Sequence, residues 1–317
     1  MSRPTMSRPS ILLIGAQGQV GQELLKTLAP IGEVTALGRQ QLDLTDLDAI
    51  AAKIAAVAPQ LIVNAAAYTA VDKAESEPEL AHQINVKAPE AMAIAAAKSG
   101  ASLIHISTDY VFPGTQGSPR QETDTTGPLS VYGKTKLAGE DAIRAALEAH
   151  IILRTAWVYG TEGKGNFVKT MLRLGKERDE LNVVSDQVGT PTWAKDIADA
   201  IAQLAQKQLQ GQRAADSEDS SSPIPPALDM VSGTYHFTNS GAASWYDFAV
   251  AIFEEAQSLG MPLTIKRVNP IATTDYPTPA QRPAYSLLNC QKVSQTLGHT
   301  APHWRDSLRA MLRDFIA

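Results

Sequence analysis

Short apolar runs alternate with longer segments of helical spacing through the first half of the chain. The apolar runs, which predict buried strands, are 10–14, 33–37, 60–64, 102–107 and 150–154. Between them, the spacing of apolar residues predicts helices over 20–28, 46–58, 79–99 and 134–149. Strands that are apolar on both faces and alternate with helices predict an α/β fold with a doubly wound, Rossmann-type parallel sheet.

Beyond about Val158 the alternation weakens and the segments become more polar and richer in proline. We predict one domain from 10–157, to which 192–238 returns, and a smaller α/β substrate-binding domain from 158–191 and 239–317. In the second domain, apolar spacing predicts helices over 245–259, capped by Ser244, and 304–316. We expect a flexible polar tail over 1–9 and a disordered insertion over 206–230, which has few large apolar side chains.

Composition limits the classes of function. The chain has 317 residues, of which 44% are hydrophobic and 19% charged, as in a globular protein of about two domains. Its 28 basic against 33 acidic residues give a formal charge of −5, which disfavours a nucleic-acid partner. The single cysteine, Cys290, excludes an internal disulfide and agrees with a reducing compartment. Since no apolar run reaches the roughly 20 residues that cross a bilayer, we expect a cytoplasmic protein without a membrane partner.

A glycine-rich segment, Gly15-Ala-Gln-Gly18-Gln-Val-Gly21, directly follows the first predicted strand and opens the first predicted helix. Glycines at such a turn let backbone N–H groups approach a pyrophosphate, and the helix N-terminus adds a positive field. The spacing is GxxGxxG rather than GxGxxG, so the alternative is a set of glycines that only shape a tight turn. The strand-turn-helix context favours a dinucleotide-binding loop formed by Gly15, Gly18, Gln19, Val20 and Gly21.

The end of the second predicted strand bears on the choice of cofactor. Proteins that bind NAD commonly place a carboxylate there, about 20 residues after the glycine loop, where it binds the ribose 2′-hydroxyl. This chain has Gly38-Arg39 instead, and a guanidinium binds phosphate well. We therefore predict NADPH, the alternative being NADH with Arg39 as a solvated loop residue. The further candidates for contact with the cofactor are Asp43, Leu44, Ala65, Ala66, Ala67 and Thr69.

The segment Tyr132-Gly-Lys-Thr-Lys136 is a candidate for proton transfer. On a helix, residues four apart lie on one face, about one turn from each other. A phenol with an ordinary pKa of about 10 is a poor proton relay at neutral pH, and a neighbouring ammonium would stabilise its phenolate. The pattern predicts that Tyr132 protonates a carbonyl oxygen and that Lys136 tunes it. The alternative is a packing tyrosine beside a solvated lysine.

Several segments together resemble a single enzyme family over nearly the whole chain from Ser10. They are the glycine loop, Asn64-Ala-Ala-Ala-Tyr-Thr-Ala-Val-Asp-Lys-Ala-Glu, Ser107-Thr-Asp-Tyr-Val-Phe-Pro-Gly, Val131-Tyr-Gly-Lys-Thr-Lys-Leu-Ala-Gly-Glu140, and Tyr276-Pro-Thr-Pro-Ala. The chain resembles the dTDP-4-dehydrorhamnose reductases of the extended short-chain dehydrogenase/reductase superfamily. The first domain would then bind NADP and the second the sugar nucleotide.

The resemblance implies an activity and a set of roles. Members of this family reduce the C4 ketone of dTDP-4-dehydro-β-L-rhamnose to dTDP-L-rhamnose, an activated sugar for cell-surface polysaccharide, with hydride from a nicotinamide cofactor. By the resemblance, Thr108 hydrogen-bonds the reacting oxygen, Tyr132 protonates it, and Lys136 holds the nicotinamide ribose. The residues implied to contact the sugar nucleotide are Thr108, Asp109, Trp157 and Arg282.

One departure from the family concerns a metal. Some members hold a magnesium ion with glutamates at a dimer contact. At the matching positions here only Glu23 is acidic, and the others are Lys195 and Arg305. We therefore predict no metal, and both a monomer and a homodimer remain open.

Two alternatives come from related proteins. A sugar-nucleotide dehydratase would need an acidic pair after the threonine, and the chain reads Thr108-Asp109-Tyr110, which favours simple carbonyl reduction. Another extended short-chain epimerase or reductase stays open. So does a non-catalytic NADP-binding regulatory subunit, although the presence of Thr108, Tyr132 and Lys136 argues against it.

Overall fold

The computed structural model describes residues 8–216 and 231–316. Its strands are β1 (Ser10–Ile14), β2 (Glu33–Leu37), β3 (Leu61–Asn64), β4 (Ser102–Thr108), β5 (His150–Thr155), β6 (Val158–Tyr159), β7 (Glu180–Val184), β8 (Val188–Gly189), β9 (Thr192–Trp193), β10 (Gly233–His236), β11 (Ala243–Ser244) and β12 (Arg267–Ile271). Its helices are α1 (Gln19–Leu28), α2 (Leu47–Val57), α3 (Val71–Ala74), α4 (Pro78–His82), α5 (Ala88–Ser99), α6 (Val131–Ala146), α7 (Phe167–Glu177), α8 (Ala194–Asp216), α9 (Trp245–Ser258), α10 (Gln291–Leu297) and α11 (Trp304–Ile316). A π-helical segment, Gln83–Lys87, joins α4 to α5, and short 3-10 turns cover Asp109–Val111 and Thr273–Asp275.

Six strands form a parallel sheet in the order β10-β5-β4-β3-β1-β2. Strand β1 lies between β2 and β3, and Ile14 at its end pairs with Leu37 on one side and Asn64 on the other. The strand order therefore reverses at β1, and the sheet confirms the predicted doubly wound α/β class. In such sheets, ligands bind in the crevice at the carboxyl ends of the strands where the order reverses.

The inner strands β1, β3, β4 and β5 are buried on both faces, which is why they are largely apolar runs in the sequence. Ile11 and Leu13 point into a cluster that contains residues of α1 and α8. Their neighbours Leu12 and Ile14 point to the opposite face, into a cluster with α2, α5 and α6. This alternation places helices on both sides and leaves the strand ends free to shape a site.

A separate apolar cluster is formed by residues from α7, α9 and α11. The helices predicted over 245–259 and 304–316 are confirmed as α9 and α11. Ser244 caps α9 as predicted, since its hydroxyl accepts a hydrogen bond from the Asp247 N–H at 3.0 Å and the Asp247 carboxylate accepts one from the Ser244 N–H at 2.9 Å. The exact division of the chain into two domains stays a prediction.

The prediction of a disordered insertion over 206–230 is wrong for 206–216, where α8 continues to Asp216. Gln208 and Leu209 are both buried, and Leu209 joins the cluster on the α1 side of the sheet. The apolar stripe of α8 continues at helical spacing in this part of the helix. The prediction missed it because it used the low average content of apolar residues in 206–230, to which the polar outer face of α8 contributes. The rest of the predicted insertion, 217–230, and tail residues 1–7 lie outside the described residues.

Within residues 8–216 and 231–316, no helix combines the length and the apolar character that crossing a lipid bilayer requires.

Candidate active site

A cavity of about 890 Å³ opens at the carboxyl ends of the sheet strands. Its wall includes residues that end or directly follow β1 to β5, namely Gly15, Gly38, Ala65, Thr108 and Ala156. The charged side chains of this wall are Arg39, Lys73, Lys164 and Asp43. Three cations against one anion make the cavity locally positive although the chain is negative overall, and this favours a ligand that carries phosphates.

The glycine turn is shaped by close backbone approach at two of its three glycines. Gly15 has a φ of +88°, and a Cβ there would lie 2.6 Å from the Ala66 backbone nitrogen. A Cβ on Gly21 would lie 2.1 Å from the Gly15 carbonyl oxygen. These two glycines therefore let the turn pack against β3 and α1.

Gly18 differs from the other two glycines. A Cβ there would meet only the Gly15 oxygen, at an ordinary 3.4 Å. Gly18 is the N-cap of α1, and no side chain caps this helix, so the first N–H groups of α1 are available beside the cavity. The space that a side chain at Gly18 would occupy belongs to the cavity, which fits a pyrophosphate at a helix N-terminus.

Most of the predicted cofactor residues come together in the cavity wall. Those that line it are Gly15, Gly18, Gln19, Val20, Arg39, Asp43, Leu44, Ala65, Ala66, Ala67, Thr69 and Tyr132. Gly21 and Lys136 lie behind the wall. Gly21 serves packing, as described above, and Lys136 is almost completely buried beneath the site.

Thr108 ends β4 and lines the cavity beside a buried carboxyl group. Its hydroxyl donates to Asp109 Oδ1 at 3.0 Å and accepts the Tyr110 N–H at 3.2 Å. Burial raises the pKa of Asp109 to about 6, although the hydroxyls of Ser286 and Thr108 oppose the rise. Asp109 Oδ2 is buried and has no hydrogen-bond partner of normal geometry within 8–216 and 231–316. This carboxyl group therefore lies behind the wall, in contact with the threonine rather than with the open cavity.

The buried Asp109 carboxyl gives the protein a pH-dependent stability. The folded pKa of about 6 lies above the ordinary 3.8, so the folded state holds this proton more tightly and loses stability as the pH rises through about 6. The free energy of unfolding of Asp109→Asn, taken relative to that of wild type, should therefore rise by on the order of 3 kcal/mol from about pH 4 to about pH 8. Urea unfolding at both pH values measures this gain. An equal difference between variant and wild type at the two pH values would show that Asp109 does not titrate in this range.

Tyr132 lies in the first turn of α6, which Ser130 caps by accepting the Gly133 N–H. Its ring meets the ring of Tyr110 edge-on, with centroids 5.5 Å apart. Burial raises the pKa of Tyr132 to about 12, the nearby Thr108 hydroxyl lowers it, and the Asp109 charge raises it further. The phenol therefore keeps its proton at neutral pH and can act as a proton donor.

Lys136 does not contribute to the pKa shift of Tyr132 in the structure, contrary to the expectation that its ammonium stabilises the phenolate. The Lys136 side-chain nitrogen Nζ is instead engaged beneath the site, 2.8 Å from the Ile106 carbonyl oxygen and 3.0 Å from His105 Nε2. Burial lowers the pKa of Lys136 to about 8, against the opposing charge of Glu140. Desolvation therefore controls the titration of both the phenol and the amine here.

A buried ion pair supports the floor of the site. Glu140 on α6 accepts two hydrogen bonds from Arg154 of β5, at 2.9 and 2.6 Å, and one from the Ser107 hydroxyl at 2.5 Å. Despite burial, the pKa of Glu140 stays below its ordinary value because Arg154 and Ser107 stabilise the carboxylate. The pair ties α6, which carries Tyr132, to β4 and β5.

Trp157 lines the far part of the cavity in a strained conformation. Its φ of 47° lies in the left-handed region, which side chains rarely adopt. The indole stacks on Trp245 with ring centroids 3.6 Å apart and planes 5° from parallel. Such strain persists only where packing imposes it, and it is common at ligand contacts.

Arg282 does not line the cavity. Its guanidinium forms an ion pair with Asp72 at 2.8 Å and holds the pKa of that carboxyl below its ordinary value. This pair joins α3 to the segment that follows the turn at Thr273–Asp275. The structure thus places Arg282 near Tyr110, where the guanidinium charge opposes the burial that raises the pKa of that phenol.

The positions that match metal ligands in the family are engaged in other contacts. Glu23 is paired with Lys26, and Arg305 with Glu254 and Glu255. Lys195 lies over the ring of Trp193. Over 8–216 and 231–316, no three acidic, histidine or cysteine side chains are grouped as metal ligands would be. The absence of a metal stays a prediction.

Several residues of the wall were missed by the sequence analysis. They are Gln17, Tyr68, Lys73, Tyr110, Thr155, Lys164 and Asn166. Thr155 lines the cavity, and its buried Oγ1 has no hydrogen-bond partner among the residues that the structure describes. The Gly163-Lys-Gly165 segment could have been recognised from the sequence, because a lysine between two glycines favours the binding of an anion. The amide of Asn166 donates to Gln19 Oε1 at 2.7 Å and so closes this loop onto the glycine turn.

Comparison with known proteins agrees with this architecture. The sequence matches the family described as RmlD substrate binding domain over residues 9–316. The dTDP-4-dehydrorhamnose reductase of Escherichia coli strain K12 is 46% identical over 311 residues, which cover 96% of this chain and 97% of that protein.

Two solved structures are similar over almost their full length. A dTDP-4-dehydrorhamnose reductase from Clostridium acetobutylicum is 38% identical with a TM-score of 0.83, and the match covers 97% of this chain and 100% of that chain. A dTDP-4-dehydrorhamnose reductase from Bacillus anthracis in complex with NADP is 33% identical with a TM-score of 0.84, over 97% and 99% of the two chains. The chain therefore belongs to the dTDP-4-dehydrorhamnose reductase family.

Proposed function

We propose that this protein reduces the C4 ketone of dTDP-4-dehydro-β-L-rhamnose to dTDP-L-rhamnose with hydride from NADPH. The observation that carries the proposal is the shared cavity, which has the glycine turn at one end and the hydroxyls of Thr108 and Tyr132 at the other. The names of the similar proteins supply the sugar nucleotide as substrate class. The cytoplasmic location and the choice between monomer and homodimer stay predictions from the sequence.

The residues present fit a nicotinamide dinucleotide. The uncapped N-terminus of α1 and the open space at Gly18 would hold the pyrophosphate, and the small side chains of Ala65, Ala66 and Ala67 would lie along the cofactor. When bound, NADPH supplies the hydride that reduces the ketone. A related reductase from Bacillus anthracis was solved in complex with NADP, which supports this choice.

The chain's own contribution is to orient the ketone and to protonate it. Tyr132 holds its proton at neutral pH and donates it to the C4 oxygen as negative charge develops there. Thr108 already donates its hydrogen to Asp109 Oδ1, so a substrate oxygen would have to take that hydrogen over from the aspartate. Thr108 is buried and Tyr132 is partly buried, and both line the cavity that would receive the ketone.

The sugar nucleotide would occupy the part of the cavity near Trp157. The Trp157 face is fixed by Trp245, so it offers a rigid platform for the sugar. Asp109 and Arg282 lie behind or beside the wall, and we assign them the role of shaping this end of the cavity. Tyr110 stands where a dehydratase would need a glutamate, which supports reduction without elimination.

Turnover tests the proposed reaction. Purified protein mixed with NADPH and dTDP-4-dehydrorhamnose should consume NADPH and form dTDP-L-rhamnose, identified by NMR of the product. Tight NADPH binding without turnover would favour a regulatory subunit. Inversion of a sugar carbon without net oxidation of NADPH would favour an epimerase.

The preference for NADPH tests the role of Arg39. Arg39 is exposed on the cavity wall, and Gly38 beside it carries no carboxylate. Because a charge-assisted hydrogen bond to phosphate contributes about 1.5–3 kcal/mol, we expect Arg39→Ala to reduce the NADPH-over-NADH preference at least about 10-fold. Dissociation constants from titration calorimetry measure it, and the exposed Arg313→Ala serves as a charge-matched control. An unchanged preference would remove Arg39 from the 2′-phosphate site.

A further inference from the structure

Three buried polar side chains form a chain that runs from β3 to Lys136. Asn64 Nδ2 lies 2.9 Å from His105 Nδ1, and His105 Nε2 lies 3.0 Å from Lys136 Nζ. All three residues are at most 1% exposed, so their hydrogen bonds are shielded from bulk solvent. Each contact therefore needs one donor and one acceptor.

The backbone fixes the orientation of the Asn64 amide. Asn64 Oδ1 accepts the Ala66 N–H at 3.0 Å. A flipped amide would place its NH₂ group against that backbone N–H, which cannot change its direction. Asn64 therefore presents its NH₂ group to His105, and His105 Nδ1 must accept.

The tautomer of His105 follows from this constraint. A neutral imidazole carries one proton, and with Nδ1 as acceptor the proton lies on Nε2, which faces Lys136. An ammonium at Lys136 would set donor against donor. A neutral amine satisfies the arrangement, because it accepts from His105 Nε2 and still donates to the Ile106 carbonyl oxygen at 2.8 Å.

We propose that Asn64 locks His105 in the Nε2–H tautomer and that His105 is a positioning residue. His105 holds the neutral Lys136 amine beneath the cavity and releases Lys136 when that amine becomes protonated. Protonated Lys136 is then free to turn toward the cavity. The proposal rests on the proposed function for its catalytic meaning, since the family resemblance assigns Lys136 to the nicotinamide ribose. The tautomer itself is a property of the ligand-free protein.

The surroundings agree with this arrangement. Burial lowers the pKa of His105 well below its ordinary value, so the ring stays neutral at neutral pH. Glu140, one turn along α6, is the charged neighbour that raises the pKa of Lys136, and it is itself paired with Arg154 of β5. Tyr132, one turn earlier on α6, is uncharged at neutral pH. With a pKa of about 8 for Lys136, the amine changes between its held and released forms near physiological pH.

Imidazole ¹⁵N NMR of the ligand-free protein tests the tautomer directly. We expect His105 to show a protonated Nε2 and an unprotonated Nδ1, with the Nε2 signal shifting as Lys136 titrates. The assignment comes from the loss of the signal in His105→Phe. A protonated Nδ1, or an imidazolium at neutral pH, would overturn the proposal whether or not the protein turns over the proposed substrate.

Asn64→Asp provides a matched swap. Its carboxylate would accept both the Ala66 N–H and a proton on His105 Nδ1, which turns Nε2 into an acceptor and stabilises the Lys136 ammonium. We expect the reversed ¹⁵N pattern and a rise of the Lys136 titration midpoint by about 1 unit, followed through its ¹³Cε signal. In the double variant with His105→Phe the rise should largely disappear. If the midpoint still rose in the double variant, the rise would come from the added charge alone, and the proposed coupling of Asn64 to Lys136 through His105 would be wrong.

Activity supplies a separate measurement. In wild type we expect kcat to fall as the pH rises through the Lys136 midpoint, with the KM for dTDP-4-dehydrorhamnose little changed, because the neutral amine stays held beneath the cavity, away from the reacting groups. In Asn64→Asp this pH midpoint of kcat should move upward together with the NMR midpoint. If circular dichroism shows that His105→Phe does not fold, the measurements on wild type and Asn64→Asp decide the test. If wild type turns over nothing while the ¹⁵N pattern holds, only the proposed function fails.

Discussion

Tyr132→Phe is expected to lower kcat for the reduction of dTDP-4-dehydrorhamnose by roughly 10²- to 10⁴-fold, the range that a positioned acid contributes. The phenol is the proton donor on the cavity wall, and its pKa of about 12 keeps the proton in place at neutral pH. Phenylalanine keeps the ring and its edge contact with Tyr110, so the fold and NADPH binding should be preserved. The effect therefore belongs to the missing hydroxyl.

Steady-state rates and NADPH dissociation constants, measured on the same preparations, separate chemistry from binding. Tyr246→Phe is a matched control, because Tyr246 lies on α9 and packs in the cluster of α7, α9 and α11. It should leave kcat within about twofold. Retention of most activity by Tyr132→Phe would refute the assigned proton donor.

Glu140→Gln is expected to reduce the free energy of unfolding by about 3–5 kcal/mol at neutral pH, because it leaves the buried Arg154 guanidinium without its counter-charge. Arg154 is only 2% exposed, and both of its contacts to Glu140 are shorter than 3.0 Å. The pKa of Glu140 lies below its ordinary 4.5 in the folded protein. Its stabilising effect is therefore complete above about pH 4.5 and is lost as the pH falls through the lower, folded pKa.

Chemical denaturation at several pH values measures this loss. Glu177→Gln removes the partner of Arg173 in an ion pair whose side chains are 60% and 52% exposed, so it should cost less than about 1 kcal/mol. If the two variants lost equal stability, the buried pair would contribute no more than a surface pair.

The sheet and the glycine turn could be predicted because their signals are local. Strands β1 to β5 lie within one residue of the predicted bounds at each end. Burial on both faces gives β1, β3, β4 and β5 a largely apolar sequence, whereas the edge strand β2 is partly exposed. The turn after β1 follows from three glycines at a strand end. Helix α6 begins at Val131, before the predicted Lys134, because the Ser130 cap was not recognised.

Contacts between distant segments could not be predicted in the same way. His105 meets Asn64 across 41 residues and Lys136 across 31, and nothing in the spacing of one segment encodes the other. Arg282 pairs with Asp72 across 210 residues. Strands of two residues, such as β6 and β9, are too short to carry a periodic pattern. The sequence thus predicted which residues reach the strand ends but not what holds them there.

The position of β10 at one edge of the sheet has a consequence for the order in which the protein folds during synthesis. His236 on β10 aligns with Arg154 on β5, 82 residues earlier in the chain. While the ribosome makes this intervening stretch, β5 presents an unpaired parallel edge, the kind of edge that recruits strands from other chains. We expect newly made chains to be most prone to aggregation in that interval, and chaperone binding to end once β10 has been added.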